Sequence, residues 1–167
     1  MEKRPKIKLE LTKADKTFEI IGWFSVVAIW SLIIANYNNL PDIIPIHYNG
    51  YGEVDRFGGK KGILILPLSA TILFAGLTIL NKFPHIFNYT TSITKENALR
   101  QYTNATKLIR YTKLIIVVIF GLIAFKTIQI ATGQVNALGT WFLPFAIVII
   151  FIPLIYFIVK STKARTQ

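Results

Sequence analysis

Four apolar segments, each long enough to cross a bilayer as a helix, alternate with polar segments along the chain. They lie at about residues 18–35, 63–80, 114–130 and 141–159. A hydrocarbon core about 30 Å thick is spanned by about 20 apolar residues in a helix. The pattern predicts an all-α integral membrane protein, in which a four-helix transmembrane bundle at residues 18–160 forms a single domain between polar tails at 1–17 and 161–167.

The third apolar segment continues from a polar segment that has helical spacing. No proline interrupts the chain between Thr94, a candidate N-cap, and Ile130. We expect one helix of about 37 residues, about 55 Å long, of which about half projects beyond the bilayer. The face with helical spacing carries Ala98, Tyr102, Ala105, Ile109 and Thr112.

The loop between the first two segments, residues 36–62, has the spacing of a small hairpin. Asn49-Gly50 is a favoured two-residue turn because both positions accept a positive φ. The strands are then Ile44–Tyr48 and Glu53–Phe57. A hairpin of this size needs support from other elements. An apolar face for packing on the helix ends is supplied by Ile46, Tyr48, Val54 and Phe57.

Lys and Arg are distributed unequally between the loops. Fifteen lie in the two tails and the loop at 81–113, whereas three lie in the loop at 36–62 and none between the third and fourth segments. Positive residues concentrate on the cytoplasmic side of membrane proteins. Both termini and the 81–113 loop are therefore predicted to be cytoplasmic, and the 36–62 loop extracytoplasmic. The first segment is expected to be a retained signal anchor, because no small-x-small cleavage site follows it.

Composition excludes several classes of function. With 53% hydrophobic and 16% charged residues and a mean hydropathy of +0.50, the chain is too apolar for a soluble domain. The absence of Cys excludes thiol catalysis and Cys-ligated metals. The net charge of +11 comes from residues beside the apolar segments and forms no nucleic-acid motif. We therefore expect contact with the lipid bilayer and not with nucleic acid, and we expect no cofactor.

The extracytoplasmic loop contains most of the candidate site residues. His47, Glu53 and Asp55 offer ligands for a divalent metal, although such residues also bond the backbone of their own turn. Residues 40–62 contain no Ser, Thr or Cys nucleophile, so we predict no catalytic residues and a protein that is not an enzyme. The binding candidates are Pro45, His47, Asn49, Gly52, Glu53, Asp55, Lys60 and Lys126.

Lys126 is a charge inside the third apolar segment, about 8 Å from its extracytoplasmic end. One interpretation is that its side chain snorkels outward to the interface. The other is that a loop carboxylate, from Asp42, Glu53 or Asp55, folds down to Lys126 and pins the loop onto the bundle.

A second group of charges lies on the cytoplasmic approach to the third helix. It consists of Arg100, Lys107, Arg110 and Lys113. Contact with anionic headgroups and a docking surface for a cytoplasmic partner both remain open as interpretations.

The run LPDIIPIHYNGYGEVDRFGGK resembles the signature of a bacterial membrane-domain family of unknown function (domain of unknown function 1648), close to LPxxIPxHxNxxGxxDxxGxK. The matching positions are Leu40, Pro41, Ile44, Pro45, His47, Asn49, Gly52, Asp55, Gly58 and Lys60, and Tyr102 before the third helix also fits. The same domain resembles the N-terminal part of SdpI-type immunity proteins, which protect producing cells against a secreted toxic peptide and relay its presence to a cytoplasmic repressor. Those proteins continue into further helices that do not follow in this sequence. The resemblance implies the bacterial cytoplasmic membrane and a role in immunity or signalling.

Three classes of function follow. We expect a non-enzymatic binding, sensing or immunity-type module, whose loop at 40–62 engages an extracytoplasmic peptide or envelope ligand. The alternative is an accessory subunit of a membrane complex, with a cytoplasmic partner or as a homo-oligomer, packed through small positions such as Gly76 and Gly121. The third class is a metal-dependent enzyme or a transporter that uses the loop's ionisable residues and Lys126.

Overall fold

The computed structural model describes residues 4–163, so residues 1–3 and 164–167 of the predicted tails lie outside the described residues. Four long helices form the structure: α1 Lys13–Asn36, α2 Ile65–Leu80, α3 Ala98–Ala131 and α4 Phe142–Lys163. Each belongs to a stretch long and apolar enough to cross a membrane. The prediction of a multi-pass, mainly α-helical membrane protein is therefore confirmed.

Local capping moves two helix starts away from the predicted positions. α1 begins at Lys13, inside the predicted tail, because Thr12 and Asp15 form a capping box in which each side chain accepts from the other residue's backbone N–H. α3 begins at Ala98 and has 34 residues, so the N-cap predicted at Thr94 is wrong. The Asn97 side-chain oxygen accepts from the Thr94 N–H at 2.9 Å and holds these residues in a turn.

α3 is the central helix, packed against α1, α2, α4 and the hairpin. The apolar core includes Ile33 of α1, Phe74 of α2 and Val117 of α3, all completely buried. Gly121 permits close packing, since a Cβ there would lie 3.3 Å from Ile29 Cγ1. On the predicted face of α3, Ala98 and Tyr102 are fully buried and the other three residues are half-buried.

The 36–62 loop contains two antiparallel strands, β1 Ile43–Tyr48 and β2 Val54–Gly59, followed by a 3-10 helix at Lys60–Leu64. The register shifts between Pro45 and Tyr48, and such a bulge breaks the alternation of faces. Ile44 is consequently the completely buried strand residue, whereas Ile46 and Phe57 are 46% and 61% exposed. Phe57, predicted to pack on the helix ends, is therefore largely exposed, whereas Ile46 is partly exposed and lines the space between the hairpin and the helix ends.

The hairpin turn is also built differently from the predicted Asn49-Gly50 turn. Within residues 4–163 no residue other than glycine has a positive φ, and in this turn the positive φ belongs to Gly52, at +78°. Asn49 acts through its side chain, whose oxygen accepts from the N–H groups of Tyr51 and Glu53 at 2.9 and 3.0 Å. These side-chain bonds close the turn, so Asn49 and Gly50 do not need the positive φ angles of a two-residue turn.

The loop between α3 and α4 lies against this turn. The Leu138 N–H donates to the Gly52 carbonyl at 2.8 Å, and Glu53 forms a bridge with Ala137. A Cβ at Gly52 would lie 2.7 Å from the Gly139 carbonyl oxygen. The hairpin is thus held from one side by the α3–α4 loop, a contact that the sequence pattern did not predict.

Candidate functional site

A cavity of about 330 Å³ lies between the hairpin and the ends of α2, α3 and α4, and we call it the hairpin cavity. The hairpin contributes Pro45, Ile46, His47, Tyr48, Asn49 and Gly52. The helices contribute mainly apolar side chains, including Ile65, Leu66, Ile123, Phe142 and Leu143. Four of the eight binding candidates, Pro45, His47, Asn49 and Gly52, therefore line one cavity.

A pair of hydroxyl groups forms the polar centre of the cavity wall. Tyr48 Oη lies 2.7 Å from Thr127 Oγ1, and either oxygen can donate the hydrogen bond. Burial raises the pKa of the Tyr48 hydroxyl above its ordinary value, and the bond to Thr127 offsets part of that rise. Tyr48 is therefore neutral at physiological pH and links β1 to α3 as an uncharged hydroxyl.

His47 and Asp55 form a second polar pair, across the two strands. His47 Nδ1 lies 2.6 Å from Asp55 Oδ1, and both side chains are about half exposed. When Nδ1–H donates to the carboxylate, the other ring nitrogen of a neutral imidazole is left as an acceptor. The pair thus holds the His47 ring at the wall of the hairpin cavity.

The remaining loop candidates serve the hairpin itself. Glu53 accepts from the Asn49 side-chain amide at 2.9 Å, and Lys60 pairs with Asp42 at 3.1 Å. Across residues 4–163, no group of three or more His, Asp or Glu side chains is placed to hold a metal ion. The weak metal candidates His47, Glu53 and Asp55 are therefore not brought together as a ligand set.

The proposed ion pair between a loop carboxylate and Lys126 does not form. Asp42 and Asp55 are paired with Lys60 and His47, while Glu53 is bound within the turn. No ion pair to Lys126 occurs in the described part of the chain. The side-chain link between the hairpin and α3 lies one residue further on. There the buried Thr127 side chain forms its hydrogen bond with Tyr48.

A cluster of four charged residues lies at the opposite end of the bundle, and we call it the ion cluster. Arg110 Nη1 lies 3.2 Å from Asp15 Oδ1, and Lys113 Nζ lies 2.6 Å from Glu19 Oε2. Lys113 also donates to Thr78 Oγ1 at 2.6 Å. Arg110 and Lys113 are at least nine-tenths buried, so these two pair inside the bundle and do not lie on the exposed basic face that the sequence predicts.

Sequence reasoning missed this cluster although a signal was present. Asp15 and Glu19 are four residues apart, and Arg110 and Lys113 are three apart, so each pair lies on one face of its helix. Asp15 lies in the predicted polar tail and Glu19 at the edge of the first apolar segment, and neither position by itself indicates a buried partner. The other two members of the basic group, Arg100 and Lys107, are exposed and half-buried.

Comparison with known proteins finds a family match that covers the hairpin. Residues 24–71 match the family described as Domain of unknown function (DUF1648), a stretch that runs from α1 through the hairpin into α2. The chain is also 26% identical over 169 residues to an "Uncharacterized protein" of Archaeoglobus fulgidus, covering 94% of this chain and 92% of that one. No solved structure matches the chain. The resemblance to this domain of unknown function is thus confirmed at residues 24–71.

Proposed function

We propose that this chain is a non-enzymatic binding module of the cell membrane. Its hairpin cavity receives an apolar group that ends in a hydrogen-bonding function, presented by an extracytoplasmic peptide or another envelope ligand. The observation that supports this is the hairpin cavity: its volume of about 330 Å³ is in the range of about 300–1,000 Å³ typical of ligand sites. Its walls are mainly apolar, as such sites require, and its polar groups are few.

The polar groups of the cavity set the chemistry of the ligand. The hydroxyl pair of Tyr48 and Thr127 and the ring of His47 offer hydrogen bonds in the cavity, and the carboxylate of Asp55 is already paired with His47. No lysine or arginine lines the cavity among the described residues. An uncharged hydrogen-bonding end, such as an amide or a hydroxyl, therefore matches it better than an anion does.

The proposal includes an orientation with the hairpin outside the cell. The distribution of Lys and Arg supports this orientation, because fifteen lie in the tails and the 81–113 loop and three in the 36–62 loop. Because the chain contains no Cys, a single introduced cysteine can be labelled without reaction of any native thiol. Tyr51, which is 71% exposed in the turn, should react as Tyr51→Cys with a membrane-impermeant maleimide on intact cells. Lys95→Cys, in the loop at the other end, should react only after lysis, and the reverse labelling pattern would refute the orientation.

The binding test uses the full chain in neutral-lipid nanodiscs with two fluorescent probes, a dansyl-labelled undecanoic amide and a dansyl-labelled amphipathic Lys/Leu peptide. Leu143→Trp adds bulk at a residue that lines the cavity, whereas Ile147→Trp adds bulk one turn along α4, at a residue of similar exposure outside the lining. We expect saturable binding of one probe to wild type and Ile147→Trp, and loss of that binding in Leu143→Trp. Equal binding by all three proteins, or no saturable binding, would refute the proposal.

The immunity-type version of this function has its own test. A sensitive host expressing the chain is challenged with membrane-active peptides, and wild type is compared with His47→Ala and Asp55→Ala. Protection by wild type that both variants lose is expected, because each variant breaks the 2.6 Å pair at the cavity wall. Failure of wild type to protect would refute the immunity role. The binding test would then decide whether the hairpin cavity binds a ligand.

A further inference from the structure

A second cavity, of about 440 Å³, lies beside the ion cluster at the end of the bundle away from the hairpin, and we call it the basal cavity. The segment at residues 4–12, which precedes α1, forms one wall, and α1, α2 and α3 form the others. Leu11 and Pro84 are among its apolar residues. The cavity therefore combines an apolar wall with the charged end of the bundle.

Three cations line the basal cavity: Lys8, Lys82 and Arg110. Glu19 is the acidic residue of its lining. Both oxygens of Glu19 already face cations, Oε2 at 2.6 Å from Lys113 and Oε1 at 3.4 Å from Arg110. The charge left for a ligand in the cavity is therefore positive.

Two buried polar atoms at this site have unused hydrogen-bonding capacity. Arg110 is 7% exposed, and its Nε forms no hydrogen bond within the described chain despite the nearby Glu19 oxygen. The Asn81 side-chain amide donates to the Thr106 carbonyl at 3.1 Å, yet its Oδ1 has no donor among residues 4–163. Buried polar groups of this kind are normally satisfied by a partner. A ligand with anionic oxygens and a hydroxyl would satisfy both.

The wall that carries Lys8 is tied to the rest of the structure. Arg4 Nη1 donates to the carbonyls of Phe87 and His85 at 2.7 and 3.2 Å, and the Tyr102 hydroxyl donates to the Pro5 carbonyl at 3.1 Å. These bonds hold the segment across the cavity. Lys8 is carried by this segment and Arg110 by α3, so an anion in the cavity would have cations from two elements around it.

We infer that the basal cavity binds a phosphate-type anion, whose charged oxygens face Lys8, Lys82 and Arg110 and whose hydroxyl serves Asn81. Cationic side chains and a buried guanidinium are the groups that recognise phosphate. A phospholipid headgroup and a free phosphate share this chemistry. The inference does not depend on the function proposed for the hairpin cavity, which lies at the other end of the bundle.

The test measures thermal unfolding of the full chain in a neutral maltoside detergent during three titrations. The additives are phosphatidylglycerol, phosphatidylcholine and inorganic phosphate, the last against chloride at equal ionic strength. Lys8→Gln with Lys82→Gln removes two cavity charges that lie outside the ion cluster. Lys16→Gln with Lys95→Gln removes two exposed charges away from the cavity and is the matched control.

We expect a saturable rise in unfolding temperature with phosphatidylglycerol and none with phosphatidylcholine. In the cavity variant the half-saturating concentration should rise about tenfold or more, since each basic residue near an anionic headgroup contributes about 1 kcal/mol. The control should stay close to wild type. A matching response to inorganic phosphate would show that the phosphate group alone suffices, and its absence would assign the site to the lipid. Equal losses in cavity variant and control, or equal responses to both lipids, would overturn the inference.

Discussion

The two ends of this bundle are stabilised by different kinds of interaction. At the hairpin end, the polar contacts are backbone hydrogen bonds, the side-chain bonds of Asn49, one hydroxyl pair between Tyr48 and Thr127 and two ion pairs with exposed members. At the opposite end, Asp15, Arg110 and Lys113 are buried between α1 and α3, and Glu19 is partly buried beside them. Exposed ion pairs contribute about 0–1 kcal/mol to stability, whereas breaking a buried pair costs about 3–5 kcal/mol. Breaking an ion pair at the hairpin end should therefore cost little stability, whereas breaking one in the ion cluster should cost much more.

The variant with the largest expected effect on stability removes one member of the ion cluster. Glu19→Ala leaves Lys113 buried with Thr78 as its remaining hydrogen-bond partner, so we expect a loss of about 3–5 kcal/mol in the free energy of unfolding. Asp42→Ala, which breaks the exposed pair with Lys60, should cost less than about 1 kcal/mol. Denaturant unfolding in detergent micelles measures both.

A double variant separates the loss of attraction from the cost of a buried single charge. Glu19→Leu with Lys113→Met removes both charges, and we expect it to recover most of the stability lost in Glu19→Ala. A double variant less stable than Glu19→Ala, or equal losses in Glu19→Ala and Asp42→Ala, would contradict the contrast between the two ends.

The second test concerns the close backbone contact at the hairpin. Gly52→Ala adds a Cβ 2.7 Å from the Gly139 carbonyl oxygen at a φ of +78°, and we expect it to cost about 3 kcal/mol and to expose the loop to protease. Gly133→Ala has a similar φ of +73° with nothing within 4 Å, so backbone strain alone should cost about 1 kcal/mol. Equal protection of the loop in both variants would show that the contact with Gly139 does not hold the hairpin.

The third test locates the link between hairpin and α3. Tyr48→Phe removes the hydroxyl 2.7 Å from Thr127 and should cost about 1 kcal/mol, whereas Lys126→Met should leave the protease resistance of the loop unchanged. A double-mutant cycle with Thr127→Val measures the coupling. Loosening by Lys126→Met, with no effect of Tyr48→Phe, would restore the ion pair as the link.

The smallest effect is a pH dependence confined to the alkaline range. Because burial raises the pKa of Tyr48 in the folded state, its contribution is fully present below the ordinary tyrosine pKa of 10.0. It is lost as pH rises from there through the raised pKa of the folded state. Absorbance at alkaline pH, compared between wild type and Tyr48→Phe, should show one tyrosine that titrates late. A difference signal that titrates at or below the ordinary value would contradict the buried hydroxyl pair.

Most of the architecture could be predicted from the sequence, because hydropathy and periodicity are local properties. The sequence pattern predicts the four spans, the two hairpin strands and the candidate residues Pro45, His47, Asn49 and Gly52. The sequence pattern does not predict the roles of the residues within the turn. Asn49 bonds the backbone through its side chain, while Gly52 supplies the positive φ. Asn-Gly favours a two-residue turn only when the flanking register allows it, and the bulge in β1 changed that register.

The sequence by itself determined which segments cross the membrane and which loop carries the unusual residues, because burial in lipid depends on composition over about 20 residues. Only the tertiary structure decided which charges are paired. Asp15 and Arg110 are 95 residues apart, and whether they meet depends on the rotation of α1 and α3 about their axes. Lys126 and Thr127 differ by one position, about 100° on a helix, and that rotation turned Thr127 towards the hairpin in place of its charged neighbour.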